Sequence, residues 1–214
     1  MMDFFLPGGE TAWNPVMDRF RAWPFIYGTL VTSLVAMLIA VPVSLGIGVF
    51  LSELCPPALR MPLGWLLELL AAVPSVVYGL WGIFVFLPAV VAPAGTILAE
   101  SVGVVPILGA LLKGPMPASG TSRLAAGFIL TIMVTPTISA VVRDVFLAIP
   151  RAQREAALAL GATRWEMIGQ VLIPYGVSGI LGAAILGLGR ALGETMAVTM
   201  VIGNSIEGSL SLLR

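Results

Sequence analysis

Four long apolar stretches dominate the chain, over about 25–51, 65–92, 124–148 and 175–203. A helix needs about 20 mostly apolar residues to cross roughly 30 Å of hydrocarbon. Inside a bilayer no water satisfies the backbone, so a run of this length must carry its hydrogen bonds within itself, as a helix does. The expectation is an all-α, polytopic transmembrane helical bundle with about four spans. Composition agrees: 58% of the residues are hydrophobic and only 10% charged, where soluble domains carry roughly a quarter. Eleven basic and eleven acidic residues cancel, so net charge gives no case for nucleic acid as a partner. One cysteine, Cys55, and no histidine exclude an internal disulfide and leave no cluster for zinc, haem or an iron–sulfur centre.

Between the stretches lie "SELCPPALRMP" (52–62), a Pro/Gly-rich connector (92–122) and "PRAQREAALALGATRWEMIGQVLIP" (150–174). The apolar part of the middle connector, 102–112, is too short to span and reads as interfacial or re-entrant. The first residues, "MMDFFLPGGETAWNPVMDRF", lack the basic start and apolar core of a signal peptide. They are expected to form an N-terminal extramembrane or interfacial segment, 1–22. Prolines 42, 74, 88 and 136 fall within the stretches and imply kinked, packed helices whose freed carbonyls find other donors. Arg60, Arg143, Arg151, Arg154 and Arg164 lie on one side, and Arg19, Arg21, Lys113 and Arg123 on the other, a bias too small to set orientation alone.

Residues 150–174 are regular for a connector. "EAALALG" and "TRWEMIGQVL" are both rich in helix formers, with Gly161 between them. Glycine there supplies the left-handed or close-packed conformation that ends a helix. Thr163 can cap the next helix, with Glu166 three residues on completing a capping box. Alanines 152, 156, 157 and 159 give a small-residue face beside Arg151, Arg154 and Glu155, which can pair with an approaching surface. Pattern alone leaves two readings, an amphipathic loop or a docking knob. Glu155-Ala156-Ala157, three residues, Gly161, nine residues, then Val171-Leu172-Ile173-Pro174 resembles the EAA loop of ABC importer permeases, E-A-A, three residues, G, nine residues, I-x-L-P. Valine and isoleucine at two positions are conservative departures. The resemblance implies a type I importer permease fold, a coupling helix seated in a cytoplasmic ATP-hydrolysing subunit, a cytoplasmic 150–174, and an N-terminus outside.

Further stretches narrow the resemblance: "WPFIYGTLVTSLVAMLIAVPVSLGIGVFLSEL" (23–54), "LLELLAAVPSVVYGLWGIFVFLP" (66–88), "TPTISAVVRDVFLAIPRAQREAALALGATRWE" (135–166) and "GLGRALGETMAVTMVIGN" (187–204). Together they resemble the membrane subunit of phosphate-specific ABC importers, the PstC type, over about 23–204. The resemblance implies one permease domain there and phosphate as cargo. The implied partners are a sister permease of the PstA type, a cytoplasmic ATP-binding subunit dimer that holds ATP and magnesium, an extracytoplasmic phosphate-binding protein and membrane lipid. The implied location is a bacterial cytoplasmic (inner) membrane. No cofactor is expected on this chain, which lacks the phosphate-loop pattern G-x-x-x-x-G-K-[ST]. A PstA-type subunit or a molybdate or sulfate permease are the alternatives. The family has six spans, so a four-span chain is expected to be a fragment or an incomplete gene product, with 205–214 a truncated extracytoplasmic tail.

In the last stretch Arg190 and Glu194 lie four positions apart, near mid-membrane if the helix is continuous. A charge at that depth costs roughly 2.5–3.5 kcal/mol on insertion scales. The two can form an internal salt bridge that only offsets its own burial. Alternatively Arg190 offers a phosphate-sized oxyanion a planar fork of donors while Glu194 restrains it, and the phosphate-permease resemblance implies that role. Gly189 and Gly193 form a small-xxx-small step, suited to helix packing or to a thin wall beside a pathway. Arg143 and Asp144 are expected at the interface or gating an inner mouth. Glu68 and Glu53 lie near span ends and carry no assigned chemistry. Trp13, Trp23, Trp65, Trp81 and Trp165 mark interfaces. Lack of histidine excludes a metalloprotease or a serine–histidine enzyme, and a single aspartate near a span, Asp144, excludes an aspartyl dyad. A membrane scaffold or receptor remains the rival from another class.

Overall fold

The computed structural model describes residues 22–91, Pro93 and 121–202, and every regular element among them is helical. Helix α1, Trp23–Val49, runs on into a π-helical turn, Phe50–Leu54. Next come α2, Pro57–Ala72, and α3, Ser75–Trp81, which widens into π-helix over Gly82–Val91. Beyond them are α4, Arg123–Ala148, α5, Arg151–Ala159, and α6, Arg164–Met167. A second π-helical turn, Ile168–Leu172, joins α6 to α7, Ile173–Gly193, and α8, Met196–Ile202, follows. The expected segments 102–112 and 205–214, and all of 1–22 but Ala22, with Trp13, Arg19, Arg21 and Lys113, lie outside the described residues.

Among the described residues three helices are long and apolar enough to cross a membrane, Phe25–Leu54, Arg123–Ala148 and Arg164–Gly193. A fourth exists only if Pro57–Ala72 and Ser75–Val91, bent by 87° at their break, count as one span. The second apolar stretch is therefore not the straight helix its hydropathy suggests. Pro74 has no N–H to continue the ladder, and its ring drives the preceding residue out of the helical region. Val73 accordingly sits at φ −62°, ψ 130°. The connector 52–62 departs as well, because Pro57 opens α2 instead of breaking it. In the first turn a missing N–H leaves nothing unpaired. Pro42 and Pro136 stay inside α1 and α4, and Pro88 inside the π-helical stretch.

Packing divides the described residues into two units, one of 22–36, 74–91 with Pro93, 121–130 and 192–202, the other of Met37–Val73 and Thr131–Ala191. In the first, α3 lies against α8 so closely that a Cβ on Gly79 would stand 3.0 Å from the Cα of Ala197. Leu87, Ala126, Ile129 and Val201 are buried around them. Buried Ser122 caps α4 by accepting the Ala125 N–H at 3.1 Å. Arg123 is buried too, its guanidinium 5.7 Å from the centre of the Tyr27 ring, a cation–π distance.

In the second unit, Val134, Ile138, Val142 and Phe146 of α4 recur every four residues and are all buried, the stripe an amphipathic helix presents to its core. Glycines let neighbours close on this stripe. A Cβ on Gly187 would lie 2.5 Å from Ile138, and one on Gly48 2.5 Å from Val142. Ser44 Oγ donates to the Thr135 carbonyl at 3.1 Å. Of the three long spans, α4 buries 67% of its apolar window, against 33% and 22% for the others. Large side chains such as Leu34, Leu38, Ile185 and Leu186 consequently remain exposed, an apolar surface suited to lipid or to another membrane subunit.

Candidate functional site

Helix α7 ends at Gly193, which places Arg190 in its last turn and not in the middle of a longer helix. Arg190 Nη1 donates to the carbonyl of Ala71 at 3.1 Å and to Thr137 Oγ1 at 3.2 Å. The Ala71 carbonyl needs such a donor. It belongs to the last turn of α2, where the final carbonyls have no partner within the helix, and Pro74 prevents the chain from continuing. Helix C-termini also carry partial negative charge, so a cation in the last turn of α7 that reaches the end of α2 is favourably placed. Neither Thr137 nor Ala71 stands out in the sequence. The available signals are Pro74, which frees carbonyls before it, and the hydroxyl directly after Pro136.

Glu194 lies beyond the end of α7, so the one-turn spacing expected for a pair with Arg190 does not extend to it. Its Oε1 accepts the Ala197 N–H at 3.0 Å, capping the first turn of α8. The structure thus gives the two side chains different partners. Gly189 and Gly193 meet no side chain or backbone within 4 Å of a Cβ placed on them. Within this chain the close helix packing falls instead on Gly176, Gly179 and Gly187 of the same helix.

The connector 150–174 folds as two short helices. At the end of α5 the Gly161 N–H bonds the Leu158 carbonyl at 3.0 Å and the Ala162 N–H bonds the Ala157 carbonyl at 3.2 Å, with Gly161 at φ +90°. This pair of bonds is the Schellman termination, and it needs a left-handed residue at that position. Thr163 then opens α6 with a complete capping box: Glu166 N–H to Thr163 Oγ1 at 3.3 Å, and Thr163 N–H to Glu166 Oε2 at 2.7 Å. Arg151, Glu155, Ala156 and Gly161 are exposed and Ala157 is half-buried. Leu160 is 90% and Trp165 69% exposed, so the connector shows bulky apolar side chains alongside its alanines.

Arg154 is turned the other way. Its Nε lies 3.0 Å from Glu53 Oε1 as an ion pair, without hydrogen-bond alignment, and both side chains are mostly buried. Its Nη1 bonds the Ile149 carbonyl at 3.2 Å and its Nη2 the Phe146 carbonyl. It therefore closes the corner between α4 and α5 and does not join Arg151 and Glu155 on the outer face. Arg143 bridges Glu68 at 3.1 Å and Asp144 at 2.9 Å, and its guanidinium fills the space where Gly64 lacks a side chain. Glu53 and Glu68, without assigned chemistry in the sequence, are thus the acids that hold these two arginines.

Apolar helices long enough to span a membrane, with a capped helix pair exposed between two of them, are the elements of the type I importer permease fold. A solved structure of the MetNI methionine ABC transporter in inward-facing conformations shares that fold at a TM-score of 0.59 and 22% identity, over 85% of this chain and 73% of that one. The family described as "Binding-protein-dependent transport system inner membrane component" matches residues 44–213, and the chain belongs to it. Its relatives include the phosphate transport system permease protein PstC of Xylella fastidiosa, 51% identical over 95% of this chain and 62% of the relative. The PstC of Pasteurella multocida is 48% identical over 91% of this chain and 60% of its own length. PstC 1 of Mycobacterium tuberculosis is 45% identical over 89% and 56%. The chain thus spans about 62% or less of the length of these relatives.

Proposed function

We propose that this chain is the membrane-spanning subunit of an ATP-driven importer of inorganic phosphate in a bacterial cytoplasmic membrane, with residues 23–204 as its permease domain. Arg190 is the contact for the anion. The observation that carries this is the pairing of its guanidinium with two neutral oxygens, Ala71 O and Thr137 Oγ1. They orient the group without cancelling its charge, and a planar guanidinium suits a tetrahedral oxyanion. Two helix C-termini beside it weaken the anion's hold, as transport requires a site that both admits and releases its ion. The names of the relatives support phosphate as the cargo. Glu194, which caps α8, is proposed separately as a pathway residue.

The partners follow from the same reading. A sister permease of the PstA type and lipid cover the exposed outer faces. A dimer of ATP-binding subunits takes the connector at Arg151, Glu155, Ala156, Ala157 and Gly161, and supplies all nucleotide and magnesium chemistry. A phosphate-binding protein delivers the anion from outside. In cells whose own phosphate importer is deleted, and with the companion subunits co-expressed, Arg190→Ala should abolish uptake of labelled phosphate while the ATP-binding subunit still co-purifies. Uptake at the normal rate would remove Arg190 from the pathway.

A further inference from the structure

We infer that Thr137 is a positioning residue for the anion site, acting together with the end of α2. This rests on the reading that Arg190 contacts phosphate. A guanidinium carries five N–H donors in one plane. The two hydrogen bonds that the structure gives Arg190 both leave from Nη1, one to Ala71 O at 3.1 Å and one to Thr137 Oγ1 at 3.2 Å. With both Nη1 protons anchored, rotation about the terminal bonds is stopped, and the edge formed by Nε and Nη2 is the one presented for two-point contact with an oxyanion.

The anchors come from separate places in the chain. Thr137 follows Pro136 inside α4, and Ala71 stands one residue before the end of α2. The Ala71 carbonyl is available because the chain breaks at Val73 and Pro74, and a backbone carbonyl cannot be altered without moving that break. Thr137 is the adjustable anchor. Its side chain is half-buried, and the flanking Pro136 and Ile138 are buried, so its hydroxyl is held by the packing of α4. A site that depends on placement loses function when one anchor goes, even with the charge intact.

The test uses the assembled transporter in detergent, with labelled inorganic phosphate as the probe. Thr137→Val keeps the shape and removes the hydroxyl, and should weaken phosphate binding roughly tenfold, the value of a hydrogen bond to a charged group. Co-purification of subunits should be unchanged, and Thr137→Ser should restore binding. Thr137→Cys, a weaker hydrogen-bonding group of similar size, reads the same quantity if the valine variant fails to assemble. Arg190→Gln is the companion measurement. If it leaves phosphate binding intact, the reading of Arg190 as the anion contact fails. If it abolishes binding while Thr137→Val or Thr137→Cys binds as tightly as wild type, Arg190 keeps its role and the positioning role of Thr137 is overturned.

Discussion

Arg154 shows how a residue's neighbours decide its role. On a helical wheel it belongs beside Arg151 and Glu155, yet its side chain reaches back to Glu53 and to the carbonyls of Phe146 and Ile149. Those carbonyls are in or just past the last turn of α4, where the helical ladder ends; that of Phe146 also accepts the Ile149 N–H at 3.2 Å. One guanidinium serves a carboxylate and two carbonyls at once, a task that suits a planar fork better than the point charge of lysine. Arg154→Ala should therefore lower stability by about 1.5–3 kcal/mol, the worth of hydrogen bonds to a charged group, seen as a lower thermal midpoint in detergent. Arg154→Lys should recover only part of it. An unchanged midpoint for the alanine variant would show that the corner holds without it. Nothing local in the sequence pairs Arg154 with Glu53, because that contact joins α5 to the end of the first span.

Elements ended by local chemistry were legible; those ended by a proline in an apolar run were harder to place. Gly161, Thr163 and Glu166 announce a termination and a capping box within six residues, and the structure has both. Hydropathy reports burial but not direction, so the second apolar stretch kept its apolar character while Pro74 turned it by 87°. The last stretch likewise concealed the stop at Gly193, which moved Arg190 to a helix end and gave Glu194 the start of α8 instead of a shared face. Glycine spacing marks Gly189 and Gly193, whereas the glycines of α7 that are crowded within this chain are Gly176, Gly179 and Gly187, which only three-dimensional packing reveals. The connector gives a direct test at this scale. Gly161 has open space around it, so a substitution there is opposed by its left-handed backbone, at roughly 1–2 kcal/mol for an ordinary residue and more for a branched one. Gly161→Val should reduce the amount of ATP-binding subunit that co-purifies with the assembled permease. Full recovery of that subunit would contradict the proposed docking role of residues 150–174.

At the scale of the whole molecule, membership of the binding-protein-dependent permease family joins with large exposed apolar faces on α1, α2 and α7. A chain with such faces is built to be covered, and on the proposed function lipid and a second permease share that task. The long apolar stretches made the membrane class and helical fold readable from composition and length, because a bilayer allows few alternatives. The proposed cargo rests on family resemblance alone, since few charges in the chain could recognise an oxyanion and their partners are brought together by folding. The most direct measurement is ATP-dependent uptake of labelled phosphate by the assembled system in proteoliposomes, with the binding protein outside and a large excess of unlabelled sulfate or molybdate as competitor. Uptake that requires ATP and is unaffected by either competitor is the predicted result; uptake suppressed by sulfate or molybdate, or no ATP-dependent phosphate uptake at all, would contradict it.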